Sequence, residues 1–308
     1  MIFPDPPKKG DQVGLIAPCS PVTPDEAAQS IAFLESREYR VVPGASVTAA
    51  PVYGYCAGCG DLRGQDIHRM FGDPEIRAIF CLRGGDSGNH VLDKLDYDLI
   101  RANPKVFMGY SDITNFHVAF NQRAHLITFH GPMVKTNMIQ NFDPFTEASM
   151  EKALSLGATG TMDLDNPPGV PFKVLRPGKA RGLCAGGNLS IINSLMGTPN
   201  ELDTKGKILF FEEVDEDTAH VDRFLHQLKY AGKFADAAGI LIGDFANQSN
   251  EHDPSYLVED LMRDFFADYD KPVLYDIKSG HCTPISTIPL GAVCTMDTGS
   301  RILRFSLE

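Results

Sequence analysis

Val106-Phe107-Met108-Gly109-Tyr110-Ser111-Asp112-Ile113-Thr114 is the stretch around which the rest of the chain is organised. Three apolar residues lead into a glycine, a serine and a segment able to open a helix, which predicts a buried strand, a sharp turn and an amphipathic helix. A serine on such a turn stands clear of the sheet, near backbone N–H groups that can stabilise an oxyanion. Ile113 occupies the position where the α/β-hydrolase elbow has its second glycine, so the stretch alone favours a helix-capping serine over a catalytic one.

Strand and helix patterns alternate on both sides of this stretch. Strands are predicted at 11–17, 39–42, 76–82 and 126–129, and helices at 24–37, 61–71 and 143–156. This alternation predicts an α/β fold with a doubly wound, mostly parallel sheet and helices on both faces. Ligands of such sheets bind at the carboxyl ends of the strands, where both Gly84-Gly85 and Ser111 fall.

A change of composition after residue 157 predicts the domain boundary. Residues 157–178 are rich in glycine and proline, and we interpret 158–178 as a linker. The predicted units are therefore an N-terminal domain at 1–157 that carries the serine and a smaller α/β domain at 179–308. In the second unit, 182–190 is interpreted as a turn into a short helix that ends at 197–199, and 207–211 as a strand that ends at Glu212-Glu213.

The overall composition excludes several classes of function. The chain has 308 residues and a net charge of −12, which argues against nucleic acid or an anionic membrane as a partner. The first residues lack the pattern of a signal peptide, and no apolar run approaches the ~20 residues that span a bilayer. Seven scattered cysteines are typical of reduced thiols, so we expect a cytoplasmic protein. Cys56 and Cys59 form one CxxC without a second ligand pair, so neither a metal site nor another cofactor is predicted.

Three residue types in chain order indicate nucleophilic catalysis. A serine hydroxyl needs a base such as imidazole to take its proton, and the imidazole needs a carboxylate to hold it. Ser111, Glu212 and His281 supply these groups. His130, beside Gly131-Pro132, competes with His281, and Glu213 competes with Glu212. Strand alternation places the two glutamates on opposite faces, so only one of them can point at the site.

A set of short segments spread over nearly the whole chain carries a family resemblance: 10–18, 83–85, 95–100, 109–114, 129–133, 186–190, 197–199, 209–213 and 280–281 with Pro284, Thr287, Pro289 and Gly291. In these segments the chain resembles the LD-carboxypeptidase family of serine peptidases, which also contains the microcin C self-immunity peptidase.

The resemblance implies a role for each candidate residue. Ser111 would be the nucleophile, His281 the general base and acid, and Glu212 the orienting carboxylate. The backbone N–H groups of Gly85 and Asp112 would form the oxyanion hole, and the site would lie between the two domains. His281 is then expected within hydrogen-bond distance of Ser111 and of Glu212. The family acts without a metal or another cofactor, is commonly homodimeric, and typically releases the terminal D-alanine of murein tetrapeptide during cell-wall recycling.

Two alternatives to the murein carboxypeptidase remain at this point. Asp86-Ser87-Gly88 follows the paired glycines where the carboxypeptidase branch usually has Tyr-Gly, which leaves open a microcin-type peptidase that cleaves a peptidyl or aminoacyl nucleotide. A two-domain protein that binds a small ligand without catalysis is the other. The absence of tryptophan and the early helix after Glu212 favour the cell-wall substrate. Arg83 and Gly84 are the candidates for binding the terminal carboxylate of the peptide, although Arg83 also fits a structural ion pair.

Overall fold

The computed structural model describes residues 1–308. Its fourteen strands are β1 Gln12–Ile16, β2 Arg40–Pro43, β3 Ile76–Cys81, β4 Val106–Gly109, β5 Thr128–His130, β6 Thr161–Asp163, β7 Lys173–Arg176, β8 Lys179–Asn188, β9 Ile208–Val214, β10 Gly239–Ala246, β11 Val273–Tyr275, β12 Ile288–Leu290, β13 Val293–Asp297 and β14 Ile302–Ser306. Its helices are α1 Pro24–Ser36, α2 Gly60–Gly72, α3 Tyr97–Ala102, α4 Thr114–Ala119, α5 Ile139–Asn141, α6 Pro144–Leu154, α7 Leu156–Thr159, α8 Leu189–Ser194, α9 Thr218–Tyr230, α10 Lys233–Asp236 and α11 Val258–Phe265. No helix has both the length and the apolar character needed to cross a membrane.

The first sheet has six strands in the order β12-β5-β4-β3-β1-β2. Strands β1 to β5 pair in parallel, as the alternation of strands and helices predicts. The helix start at Thr23 is a capping box, with the Thr23 hydroxyl accepting from the Glu26 N–H and the Glu26 carboxylate accepting from the Thr23 N–H. The sequence analysis missed β12, which pairs antiparallel with β5 and carries the chain from the second half back to the first sheet.

The second sheet has eight strands in the order β6-β14-β13-β8-β9-β10-β11-β7. Strands β8 to β11 are parallel, and antiparallel strands flank them on both sides. The α/β class and the mostly parallel first sheet are confirmed. Strands β6 and β7 lie within 158–178, so this segment supplies both outer strands of the second sheet. The division of the chain into domains with 158–178 as a linker stays a prediction.

The turn predicted at the start of 182–190 is wrong, because residues 182–188 belong to the ten-residue strand β8. The short helix predicted after it is confirmed as α8. The glycines of β8 are required by close neighbours rather than by a turn. A side chain on Gly186, which has a φ of +141°, would come within 1.8 Å of the Phe210 carbonyl oxygen. A side chain on Gly187 would come within 2.4 Å of Thr114 Oγ1, so this glycine lets β8 approach α4 of the first half.

The central strands of both sheets are buried on both faces, and the two halves share their cores. Neighbouring residues of β4 and β9 point into two different apolar clusters. Phe107 and Phe211 lie in one cluster of 45 buried residues, and Met108 and Phe210 in another of 35. Each cluster therefore spans the two sheets, which holds the carboxyl end of β4 in a fixed position relative to the end of β9.

Candidate active site

Ser111 lies on a strained turn between β4 and α4. Strand β4 ends at Gly109, and a 3₁₀ turn at Ser111–Ile113 leads directly into the helix, which confirms the predicted strand, turn and helix. The helix is not amphipathic as predicted, because all six residues of α4 are buried. Ser111 has a φ of 66°, in the left-handed region that non-glycine residues rarely adopt. Its side chain caps neither the turn nor the helix. The helix-capping interpretation of this serine is therefore wrong, and the strain marks the turn as a candidate functional site.

The Gly84-Gly85 segment after β3 packs against this turn. A side chain on Gly84 would lie 2.8 Å from Ser111 Cβ and 3.1 Å from the Asp112 nitrogen. Gly85 has a φ of +114°, and a side chain there would come within 2.1 Å of Ser20 Oγ. The Gly85 N–H donates no hydrogen bond within the protein. The two glycines thus bring backbone, rather than side chains, to the serine.

Asp112 and Arg63 hold these loops together. Asp112 Oδ2 accepts a 2.7 Å hydrogen bond from the Gly88 N–H, so its buried carboxyl joins the serine turn to the glycine loop. Burial raises the pKa of Asp112 to about 6. The Arg63 guanidinium, 1 % exposed, donates to the Pro18 and Ser87 carbonyls at 2.8 and 3.0 Å. Sequence analysis missed Arg63, since a charged residue in a helical pattern gives no signal of burial.

Strand β9 places Glu212 and Glu213 on opposite faces. Glu213 accepts hydrogen bonds from the Asn188 side chain and from the Ser190 N–H at the start of α8, both at 2.7 Å. Glu212 is fully buried on the other face. Gly280 makes room for it, since a side chain at Gly280 would lie 2.4 Å from Glu212 Oε2.

His281 follows β11 in a loop and pairs with Glu212. Its Nδ1 lies 2.7 Å from Glu212 Oε2, and its side chain is 18 % exposed. The His281 ring packs edge-on against Tyr110, the residue before Ser111, with 4.9 Å between ring centroids. The structure therefore brings Glu212 and His281 of the second half to the serine turn of the first.

The charges of this pair reinforce each other. Burial alone would raise the pKa of Glu212, but the positive charge of protonated His281, together with His130, holds it at about 2. Burial alone would lower the pKa of His281, but the Glu212 carboxylate outweighs burial and raises it above its ordinary value of 6.5. The carboxylate is thus ionised at neutral pH and stabilises the imidazolium.

The expected hydrogen bond between Ser111 and His281 is absent. Neither Ser111 Oγ nor His281 Nε2 has a hydrogen-bond partner within the protein. Both groups are free to engage a substrate, and catalytic hydrogen bonds often tighten only in the substrate complex.

His130 and Arg83 lie around the same site. His130, at the end of β5, is fully buried, and its Nε2 is 3.7 Å from Glu212 Oε1. Arg83 is half-buried and forms no ion pair, so the structural ion pair considered for it is absent. All seven cysteines are free, and no three His, Cys, Asp or Glu side chains are grouped as metal ligands.

Comparisons with known proteins give the family. The model of the LD-carboxypeptidase N-terminal domain matches residues 13–131, and that of the C-terminal domain matches residues 181–296. A probable murein peptide carboxypeptidase of Bacillus subtilis is 41% identical, with 95% of this chain and 91% of the relative covered. A murein tetrapeptide carboxypeptidase of Pseudomonas aeruginosa is 28% identical, with 94% of each chain covered. The solved structure of the microcin C7 self-immunity protein superimposes with a TM-score of 0.90 at 23% identity, covering 100% of this chain and 99% of that one.

The match to both family models defines a serine-type carboxypeptidase, a hydrolase. The chain belongs to the LD-carboxypeptidase family.

Proposed function

We propose that this protein is a metal-independent serine carboxypeptidase that releases the terminal D-alanine of murein tetrapeptide. The observation that carries the proposal is the buried Glu212–His281 pair, which leaves His281 Nε2 free beside the strained turn at Ser111. The 41% identity to a murein peptide carboxypeptidase supports the substrate class. The likeness to the microcin protein is at 23% identity and supports the fold alone.

The proposed reaction proceeds through an acyl-enzyme. Ser111 Oγ attacks the carbonyl carbon of the L-centre while His281 Nε2 takes the hydroxyl proton. The N–H groups of Gly85 and Asp112 donate to the oxyanion that forms. His281 then returns its proton to the departing D-alanine amine, and a water molecule, activated by the same imidazole, hydrolyses the ester.

Arg83 is the proposed partner of the substrate's terminal carboxylate. It directly precedes Gly84-Gly85, it is half-buried, and no carboxylate of the protein pairs with it. A guanidinium can bind a carboxylate through two parallel hydrogen bonds, which fixes the peptide end near the serine. This contact would distinguish a carboxypeptidase from an endopeptidase.

The cellular setting is part of the proposal. We infer a cytoplasmic enzyme that acts as a homodimer and does not bind nucleic acid. Seven unpaired cysteines support a reducing compartment, and the net charge of −12 opposes binding to a polyanion. The homodimer follows from the family resemblance and is tested by light scattering coupled to gel filtration.

The substrate is tested with three peptides that differ only at the end. Tetrapeptide with D-alanine, its L-alanine epimer and its C-terminal amide are incubated with the enzyme, and release of the last residue is followed by mass spectrometry. We expect cleavage of the D-alanine peptide alone, because inversion or amidation loses the alignment at the serine or the contact with Arg83. EDTA should leave the rate unchanged. Comparable rates for the three peptides would contradict the proposal.

A further inference from the structure

The second oxygen of Glu212 lacks a partner that its burial demands. Oε2 contacts His281, while Oε1 is fully buried and makes no hydrogen bond. A buried carboxylate is stable only when hydrogen bonds replace its lost hydration. His130 Nε2, at 3.7 Å from Oε1, is likewise buried and without a partner. Two complementary polar atoms thus face each other slightly beyond hydrogen-bond distance.

Packing holds the His130 ring in this orientation. Its Nδ1 lies 3.3 Å from Ser279 Oγ, two residues before His281. The Phe210 ring packs edge-on against it, with 5.0 Å between centroids. His130 therefore contacts both the strand that carries Glu212 and the loop that carries His281, although its own strand belongs to the first sheet.

We propose that His130 is a positioning residue, whose Nε2–H donates to Glu212 Oε1 so that the carboxylate is held between two imidazoles. The inference rests on the proposed function for the roles of Glu212 and His281. His130 contacts Glu212 and Ser279 and forms no hydrogen bond with Ser111, so it acts only through Glu212.

The neighbours of His130 select the tautomer that the proposal needs. A neutral imidazole carries its proton on one nitrogen, and that nitrogen is set by the hydrogen bond of the other. The Ser279 hydroxyl can donate to Nδ1, which leaves the proton on Nε2, facing the carboxylate. The opposite tautomer would direct a lone pair at Oε1, which is repulsive.

This geometry also separates His130 from His281 as a base. His130 is fully buried, and its two nitrogens face Ser279 and Glu212. His281 is partly exposed, and its Nε2 has no partner within the protein. Only His281 therefore offers a free nitrogen to a serine and its substrate.

Two substitutions of His130 distinguish the loss of the Nε2–H donor from the loss of the imidazole ring. His130→Gln places an amide N–H where Nε2 stood, whereas His130→Asn reaches only the position of Nδ1. We expect the rate at which His130→Gln is labelled by a serine-directed fluorophosphonate to stay within about threefold of the wild-type rate. His130→Asn should react on the order of tenfold to a hundredfold more slowly, because that is the effect of one hydrogen bond to a charged group. His117→Asn is the control, because it removes a neighbouring buried imidazole that contacts Thr128 and Gly109 instead of Glu212.

The readout is the pH dependence of labelling by a serine-directed fluorophosphonate, which needs no peptide substrate. Without the Nε2–H donor, Glu212 holds the His281 imidazolium more tightly. The rise of the labelling rate on the acid side of its pH profile should therefore move to higher pH in His130→Asn. The acid side of the profile should stay in place in His130→Gln and His117→Asn. Equal labelling rates and equal acid-side pH dependence for the two His130 variants would overturn the proposal.

A nuclear magnetic resonance measurement on the wild type tests the inference without any reaction. Nitrogen-15 shifts of His130 should show a protonated Nε2 and an unprotonated Nδ1, and the reverse assignment would overturn the inference. If the protein labels normally but cleaves no murein peptide, the proposed substrate fails while the role of His130 stands.

Discussion

At the scale of single residues, the site depends on a carboxylate that is buried and still charged. Glu212 has no exposed surface, yet the pKa of its carboxyl is held at about 2 because the charge of His281 and the contact with His130 outweigh its burial. Glu213, its neighbour, lies on the opposite face, where burial and then the Glu212 charge raise its pKa. One strand thus gives two adjacent glutamates opposite electrostatic environments.

The pH dependence of activity follows from this pair. His281 must be neutral to accept a proton, and its pKa is raised above 6.5, so kcat/KM should rise through a pKa above that value. Glu212→Gln removes the charge that stabilises the imidazolium, so the rise of kcat/KM with pH should move to lower pH. The maximal rate should fall on the order of 10⁴-fold, as for loss of an orienting carboxylate. The check is the pH profile of kcat/KM for Glu212→Gln beside that of Glu213→Gln, in which the rise should shift less. An unmoved rise in Glu212→Gln would show that Glu212 is not part of the site.

Single residues were predicted more readily than their contacts. Ser111, Glu212 and His281 could be named from residue chemistry, chain order and family resemblance. The contact between His281 and Glu212, which measures 2.7 Å, was expected from the family resemblance alone, because β9 and the loop after β11 are joined only by tertiary packing. The place of His130 beside the same carboxylate was missed for a similar reason, since β5 and β9 belong to different sheets.

At the scale of elements, glycines decide how closely strands and loops approach. Gly187 lets β8 reach α4, where the Asn188 N–H donates to Thr114 Oγ1 at 2.8 Å. Gly280 lets the His281 loop pass over Glu212. The sequence analysis interpreted 182–187 as a turn because glycine usually interrupts strands. Only the contacts with Phe210 and Thr114, from other segments of the same chain, show why Gly186 and Gly187 stay extended. Strand β12 was missed because three residues with a central proline carry almost no strand signal.

Gly280→Ala tests the close approach of loop and strand. The new Cβ would lie 2.4 Å from Glu212 Oε2, and the φ of +115° is strained for alanine by about 1–3 kcal/mol. We expect a lower thermal midpoint and at least a tenfold lower rate of D-alanine release. Gly10→Ala is the matched control, because it has a φ of +87° and no atom within 4 Å of the added carbon. A Gly280→Ala enzyme as active as the control would contradict the packing argument.

At the scale of the whole molecule, two sheets share two apolar cores, and the proposed site lies where they meet. The α/β class and the parallel order of β1 to β5 were predictable, since apolar strands alternate with capped helices. The return of β12 to the first sheet and the inclusion of 158–178 in the second were not, because they depend on pairings between distant segments. The shared cores explain how a serine from one half and a histidine from the other keep a fixed relation.

The measurement that tests the central claim most directly compares the wild type with Ser111→Ala on murein tetrapeptide. D-Alanine release is quantified by mass spectrometry, with circular dichroism to show that both proteins fold alike. The account predicts steady release by the wild type and a loss on the order of 10⁶-fold in the variant, since the hydroxyl carries the covalent step. Release by Ser111→Ala at a rate near that of the wild type would contradict it.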